Sequence, residues 1–585
     1  MQLCDALAHV LQVLNVRSVF GVSGANIEPF HDAVFRLGVS SLTNIFAKSE
    51  SGAAFMADGY ARTSGGLGVC CATSGGGMMN LAAGVAESQA SGIPVLAIIG
   101  QVATEWEGAG GFQDSSGRGG SINGVELWRS MTQYAVRLQA ADEFWQQLNL
   151  CLTLSLNGNK GATALLLPRD VQMMDVGAMP DWFFKRLARG FIDIPAVNTE
   201  LTECVSTLFA LLSACQNPLV VIGDAAVRDR AYADICEFLK SADIPVAVTL
   251  ADICAYDRRE RNFVGVIGAC GEPSLHRYIE EQVDLVVVIG NNLDQMTQGP
   301  LTSILQTKPS VLIHHALKSV GPRLNVALTI HAPLVETFQL INDFHARQPL
   351  RFHGIKKLHR DKHPQIRLAA GDGLSNSMAI AAINPHLPEN ISLVLDAGNC
   401  AATAAHYLEP PPGARSSIAL GMGGMGYGVA SAVGVQLAQQ AKESRSQPTV
   451  VFCGDGAFLM NGVEVHTAVE LQLPIIWLVF NNQGHGMCRS RQELLFENRV
   501  TCSNFSAPVN ISQLGEGLGL AADQVAQASS TAEIEAFLQS YFSQPEPGPA
   551  LLELNIDVDE IPPFAPLIDI WTQQQSEEDA PVITA

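Results

Sequence analysis

The feature that most restricts this chain is a recurring run of uniformly apolar, largely β-branched residues. Examples are Ala164–Leu167, Leu219–Ile222, Leu285–Ile289, Val311–Ile313, Thr449–Phe452 and Ile475–Phe480. A strand with one wet face alternates apolar and polar residues. One that does not alternate is covered on both faces, which implies a parallel sheet between helical layers. Helical periodicity fills the intervals, beginning with Leu3, Leu7, Val10, Leu11 and Leu14. A chain of 585 residues exceeds a single core and suggests roughly three or four domains. Two polar, proline-bearing stretches, about 173–198 and about 346–370 (with His359 and His363), read as joints. The expectation is therefore three α/β domains with doubly wound, mainly parallel sheets: 1–175, 190–345 and 370–565. A mobile tail is expected at 566–585, where apolar anchors are few.

Composition excludes several classes. Charged residues make up 16% of the chain, against about 25% in ordinary domains, so large cores or a buried subunit interface are expected. The 57 acidic residues against 35 basic ones give a net charge of -22, which excludes a nucleic-acid partner. No apolar run approaches the roughly 20 residues of a membrane span. The start carries Asp5 and no basic segment, so it does not read as a signal peptide. The thirteen cysteines are scattered without a C-x-x-C pair, and a reducing cytoplasm fits them best.

Two glycine-rich segments carry candidate chemistry. Gly421-Met-Gly423-Gly-Met425-Gly426 fits G-x-G-x-x-G, but a proline-rich segment precedes it and no acidic residue closes a second strand at the required distance. Close helix packing through glycines is the better reading. Gly454-Asp455-Gly456-Ala457 ends one apolar run and Asn481-Asn482 ends the next. A right-handed crossover would place both carboxyl ends on one edge. Asp455 and Asn482, 27 positions apart, would then converge on a hard cation such as Mg²⁺, with the Gly484 carbonyl completing the protein's share. The neighbouring glycines would let backbone N–H groups reach phosphates. Taken singly, the two motifs are also an ordinary helix cap and an ordinary turn.

At this point the chain resembles the thiamine-diphosphate-dependent enzymes, whose cofactor motif is GDG, about 25 residues, then NN. Phe20-Gly-Val-Ser-Gly24-Ala25-Asn26 is similar to the family's first loop, and Lys48–Arg62 is similar to its helix bearing the activating glutamate, here Glu50. Thr73-Ser74-Gly75 through Asn80, Ile93–Gln101, Phe112-Gln113-Asp114 and Leu167–Val171 match further segments in order. Within the family the pattern is most like the acetolactate synthase large subunit. The resemblance implies a pyrimidine-binding, a central and a diphosphate-binding domain, with thiamine diphosphate and Mg²⁺ as cofactors. It implies that Glu50 bonds the cofactor's pyrimidine and that an apolar surround of Ala53, Ala54, Phe55 and Met56 raises its pKa. Met425 matches the residue that props the cofactor. Gly398-Asn399-Cys400 matches a diphosphate contact in which Cys400 replaces a histidine, leaving a backbone role. Gly423, His485, Gly486 and Met487 complete the implied cofactor contacts.

The implied reaction is decarboxylation of a 2-oxo acid and transfer of the acyl carbanion to an acceptor carbonyl, with Gly24, Ala25, Phe112 and Gln113 shaping the pocket. The paired histidines of pyruvate decarboxylase are absent there, which favours carboligation over release of an aldehyde. A decarboxylase or C–C lyase, and a cofactor-binding subunit without turnover, remain alternatives. Arg491 stands where the synthases carry a tryptophan that selects the acceptor, so a carboxylate or polar acceptor is expected. Asn26 and Arg169 are further substrate candidates, and the stretch after Asp114 is expected to form a flexible loop. Gly265–Gly271 and Gly290–Asp294 are similar to flavin-contacting segments but lack their usual charged residues, which leaves FAD open. The resemblance also implies a homodimer or homotetramer with active sites between subunits.

Overall fold

The computed structural model describes residues 1–578 apart from 39, 192–198, 316–323, 353–357, 359, 369–371, 443–446 and 558. The first sheet holds β1 (Ser18–Gly21), β2 (Thr43–Phe46), β3 (Gly68–Ala72), β4 (Val95–Gln101), β5 (Tyr134–Arg137) and β6 (Ala162–Pro168). The second holds β7 (Pro218–Ile222), β8 (Val246–Val248), β9 (Phe263–Val266), β10 (Leu285–Ile289), β11 (Ser310–His314) and β12 (Val326–His331). A short strand β13 (Ile366–Arg367) precedes the third sheet: β14 (Ser392–Leu395), β15 (Arg415–Ile418), β16 (Thr449–Gly454), β17 (Ile475–Asn481), β18 (Val525–Ala528) and β19 (Ala550–Asn555). β20 (Glu560–Ile561) pairs antiparallel with β13.

The orders are β2-β1-β3-β4-β6-β5, β12-β11-β10-β7-β8-β9 and β15-β14-β16-β17-β19-β18, and every pairing within these sheets is parallel. All residues of β4, β6, β10 and β11 are buried, as the unalternating runs required. In the first and third sheets the last strand folds back inward, β6 inside β5 and β19 inside β18. Each sheet is wound outward in both directions from a switch point, between β1 and β3, between β7 and β10, and between β14 and β16. At such points successive connections leave on opposite faces and open a crevice beyond the carboxyl ends of the strands. Three crevices are therefore built into the topology.

The first and third domains share a core. Helix Glu50–Ser64 crosses helix Tyr427–Lys442 so closely that a Cβ on Gly434 would lie 1.9 Å from the Met56 carbonyl oxygen, and one on Gly59 2.5 Å from that of Ser431. Beside this crossing Arg62 pairs with Asp58, and Asp58 also accepts from Ser88 Oγ (2.8 Å) and Tyr427 Oη (2.8 Å), all buried.

Two expectations need correction. The segment expected as a tail from 566 begins as a helix, Ala565–Glu578, because Leu567 and Ile568 find a small apolar cluster with Ile366 and Leu494. Residues 579–585 lie outside the described residues, as do 192–198 of the first joint and 353–357, 359 and 369–371 of the second. The rest of the first joint includes a helix, Asp181–Leu187, anchored by buried Phe183 and Leu187. Among the described residues no helix is long and apolar enough to cross a membrane.

Candidate active site

One group of the expected site residues forms at the β1/β3 crevice. The turn after β1 packs on the turn after β3: Gly24 stands against Thr73, and the buried Asn26 amide donates to Ser74 Oγ (2.8 Å). Gly75, at φ +66°, lies directly under Gln113, whose own φ is +63°. Glu50 opens its helix behind Ser49, whose side chain accepts from Gly52 N. Asn80 donates to the Glu50 carboxylate (3.0 Å), and a Cβ on Gly77 would sit 3.1 Å from it. The crevice thus brings together Gly24, Asn26, Ser74, Gly75, Asn80, Gln113 and Glu50. Within one chain Glu50 is half-buried at the crevice edge and is not enclosed by Ala53, Ala54, Phe55 and Met56. From Gly52 to Ala61 the helix is buried on every side, so those four side chains pack into several neighbours, whereas Glu50 stands at the helix start where the enclosure begins. Phe112 is 84% exposed and Ala25 is also exposed.

The stretch expected as a flexible loop is internally bonded. Asp114 accepts from Gly108 N and Ser116 N, Gly117 N donates to Ile122 O (3.1 Å), and Glu107 pairs with Arg118 and Arg137.

The other group lies at the β14/β16 crevice. β16 and β17 run in register through Gly454 and Phe480, so their carboxyl ends adjoin. Asp455 accepts from Gly456 N (2.7 Å) and Gly484 N (3.0 Å), which draws the turn after Asn482 onto it. Burial pushes the Asp455 carboxyl up to about 6, a penalty on its charge that a bound cation would offset. The Gly484 carbonyl accepts from Gly486 N (3.2 Å) and keeps a second lone pair. Among the described residues no three His, Cys, Asp or Glu side chains gather as a metal-binding group, so a cation here would rely on one carboxylate plus amide and carbonyl oxygens.

Two helices, Asn399–Tyr407 and Gly486–Leu495, begin against each other. A Cβ on Gly486 would lie 2.5 Å from Asn482 Nδ2 and 2.8 Å from Asn399 Nδ2. Gly456 is pressed as closely on the His485 ring (2.8 Å). Both amide atoms of Asn399 are buried without a partner. Unmade buried hydrogen bonds are costly, which makes this amide a candidate to meet a ligand. The starts of the two helices leave backbone N–H groups free and favour an anion. Cys400 is buried and its thiol is pushed up, held neutral by burial, which leaves it only backbone groups to offer.

Met425 is half-buried on the core shared by the first and third domains, and Met487 packs between the core of the second and third domains and the small cluster around Leu494. In the glycine segment, Gly421 does pack on a helix, through Ala90, and Gly426 lies on Asn461. Gly423, at φ +66°, has open space around it, so packing explains only part of the run. Arg169 and Arg491 are both exposed, and Arg491 donates to Cys488 Sγ.

Sequence reasoning missed several residues. Buried Asp396, raised to about 6 by burial, accepts from Gly426 N and Gly428 N and holds the glycine segment from the third sheet. Buried Glu87 accepts from Gly421 N (3.0 Å) and Met422 N (2.6 Å) and holds it from the first domain. Glu464 accepts from Lys48 N, Ser49 N and Ser49 Oγ, which anchors the start of the Glu50 helix. Asn482 Nδ2 donates to Asp559 Oδ1 (3.0 Å). Of these only Asp396 had a local signal, an acidic residue ending an apolar run.

The third crevice, between β7 and β10, holds a cavity of about 690 Å³ lined by Lys160, Arg228, Asn291, Asn292, His314 and His315, among others. Gly290–Asp294 line it, whereas Gly265–Gly271 do not; Gly268 is instead pressed on the Met296 carbonyl.

Comparison with known proteins identifies the family. Residues 1–118 match the thiamine pyrophosphate enzyme N-terminal TPP binding domain, 205–341 its central domain and 396–554 its C-terminal TPP binding domain. The chain is 26% identical over 558 residues to the acetolactate synthase isozyme 2 large subunit of Escherichia coli, covering 94% of this chain and 95% of that one. It is also 26% identical to the isozyme 1 large subunit, covering 96% of each. A solved structure, a thiamine diphosphate-dependent 4-hydroxybenzoylformate decarboxylase from Rhodococcus jostii RHA1, superposes with a TM-score of 0.77 at 18% identity, over 96% of this chain and all of that one. With all three domain models matched in order on the three sheets observed, the chain belongs to the thiamine pyrophosphate enzymes and is an enzyme similar to the acetolactate synthase large subunits.

Proposed function

We propose that this enzyme is an Mg²⁺-dependent carboligase that decarboxylates a pyruvate-like 2-oxo acid and joins the product to an acceptor carbonyl. The observation that carries the cofactor assignment is the unpartnered Asn399 amide between two helix starts, beside Asp455 and Asn482. That donor set fits a diphosphate held through a hard cation. Asp455, Asn482 and the Gly484 carbonyl would hold the cation; Asn399, the backbone of Gly398 and Cys400, and Gly456, Ala457 and Gly486 would hold the diphosphate. Bound thiamine diphosphate supplies an electron sink for the carbanion chemistry.

The chain's own residues do the rest. Glu50, oriented by Asn80, would hold a proton at the pyrimidine, and Met425 would support the cofactor from the loop that Glu87 and Asp396 secure. Gln113 and Asn26 would offer the polar contacts of the substrate pocket, and Phe112 would screen it from water. Arg169 and Arg491 remain candidates for an anionic acceptor.

The reading of carboligation rests on likeness to the acetolactate synthase large subunits and on the missing histidine pair around Gln113. Exposed Trp106, Phe112, Met422, Leu459 and Met460 support a second copy of the chain covering the two groups of site residues, as a homodimer or a pair of dimers. All thirteen cysteines are unpaired, which supports a reducing compartment, the cytoplasm. For FAD the fit is partial, since only one of the two expected segments reaches the central cavity, and no step is assigned to a flavin.

The test is CO₂ release from 2-oxo acids with thiamine diphosphate and Mg²⁺, followed by NMR of the products with and without candidate acceptors. A ligated product supports the proposal; free aldehyde as the sole product makes the enzyme a decarboxylase. Glu50→Gln should abolish turnover, and full activity in that variant removes Glu50 from the mechanism. Calorimetry showing no cofactor binding at millimolar Mg²⁺ would leave a subunit without turnover.

A further inference from the structure

We propose that Asp559 is a positioning residue that fixes which end of the Asn482 amide faces the cation. An amide has an oxygen end that ligates a hard cation and an NH₂ end that does not, and the two ends have nearly the same shape. A carboxylate only accepts hydrogen bonds, so it selects the NH₂ end. Asn482 Nδ2 donates to Asp559 Oδ1 (3.0 Å), which turns Oδ1 of Asn482 away from Asp559.

The other Asp559 oxygen pairs with Arg489. The same guanidinium donates to the Asn482 carbonyl (3.4 Å) and to Asn504 Oδ1 (2.8 Å). Arg489 therefore holds the main chain of Asn482 while Asp559 holds its side chain, and the ion pair leaves Asp559 little reason to compete for the cation. Asp559 is itself set in place by the β13–β20 ribbon. Its carbonyl accepts from Leu368 N (2.9 Å), and the next residue, buried Glu560, accepts from Ser375 Oγ, Ser377 N and Ser377 Oγ. The segment between the central and third domains is thus coupled to a single amide in the cofactor crevice.

This inference rests on the assignment of Asn482 to a divalent cation, and the experiment separates the two. Thiamine diphosphate binding to the full chain is measured by titration calorimetry across a range of Mg²⁺ concentrations, for wild type, Asp559→Asn, Asn482→Ala and the double variant, with the thermal midpoint of each unliganded protein. Asp559→Asn lets the amide flip and should raise the Mg²⁺ needed for half-maximal binding about 10–100-fold, the usual effect of losing an outer-shell partner. The unliganded midpoint should stay close to wild type, and Asp559→Glu should restore most of the affinity. In the Asn482→Ala background the Asp559 substitution should add nothing, because the residue acts through that amide. An unchanged Mg²⁺ requirement in Asp559→Asn, or a full additive loss on top of Asn482→Ala, overturns the proposal. Should Asp559→Asn not fold, Asp559→Ser takes its place in the same comparison. Wild type binding the cofactor equally with and without Mg²⁺ would instead refute the cation assignment, and the proposal with it.

Discussion

Replacing His276 with leucine should make the protein more acid-resistant than wild type. His276, His363 and His406 meet where the central domain, the segment before the third domain and helix Asn399–Tyr407 join. The rings of His363 and His406 lie 5.0 Å apart, His363 N donates to His406 Nε2 (2.8 Å), and His406 Nδ1 lies 3.1 Å from the Cys270 carbonyl, to which it donates. With one ring nitrogen accepting, His406 is neutral. Around the cluster stand Lys362, Arg360 and Arg258, opposed by Glu272 and Glu409, which pair with them. Burial pushes His276 and His363 down to about 4, and His406 to about 3.

A histidine whose pKa falls on folding binds its proton better when unfolded. Its neutral form stabilises the fold fully above about 6.5, and that stability drains as pH falls toward about 4. At about pH 5 the loss for His276 is about 2 kcal/mol. The wild-type curve alone would not reveal it. Asp396 and Asp455, raised to about 6, take up protons in the folded state and so gain stability as pH falls through that value. The readout is therefore the difference between two proteins.

His276 Nε2 is buried without a partner, so His276→Leu breaks no hydrogen bond at that atom, and at about pH 7.5 the two should agree to about 1 kcal/mol. Urea unfolding at about pH 5 should then favour the variant by a further ~2 kcal/mol. A gap independent of pH, or one widening in favour of wild type, would refute the reasoning.

Two other outcomes are expected. Gly434→Ala forces a Cβ to within 1.9 Å of the Met56 carbonyl oxygen, where only backbone could yield. It should cost about 1–3 kcal/mol of stability by denaturant unfolding, and a neutral result would mean that the helix crossing can open to admit a methyl group. Gel filtration in a strong chelator should strip thiamine diphosphate from the protein, and Mg²⁺ should restore its retention; cofactor retained without divalent ions would exclude Asp455 and Asn482 as a cation site.

Much of the site was legible because its markers are local. Asp455 and Asn482 each end an apolar run, and Glu50 opens a helix behind a capping serine, features set by residues a few positions away. What holds those markers was not legible. Glu464 grips Ser49 across 415 positions, and Asp559 grips Asn482 across 77. Nothing near either acid distinguishes it from an ordinary surface carboxylate. Glu50 was read with an apolar surround from its sequence neighbours, but consecutive helical residues point around the helix into different neighbours, and the glutamate stands at the helix start, outside the fully buried stretch Gly52–Ala61. The expectation of a mobile segment failed over 566–578 for a related reason: Leu567 and Ile568 suffice as anchors only because Ile366 and Leu494 wait for them in space.

The sequence alone determined the layers. Runs without polar alternation can be buried only between two helical faces, which demands parallel sheets and their crossovers whatever the order of strands. The tertiary structure decided where the strand order reverses, and hence where each crevice opens and which distant side chains line it. The physical reason is range. Strand and helix patterns are settled by neighbours along the chain, whereas the hydrogen bonds and ion pairs that orient Asn482, Glu50 and the Gly421–Gly426 loop join groups brought together only when the sheets are complete.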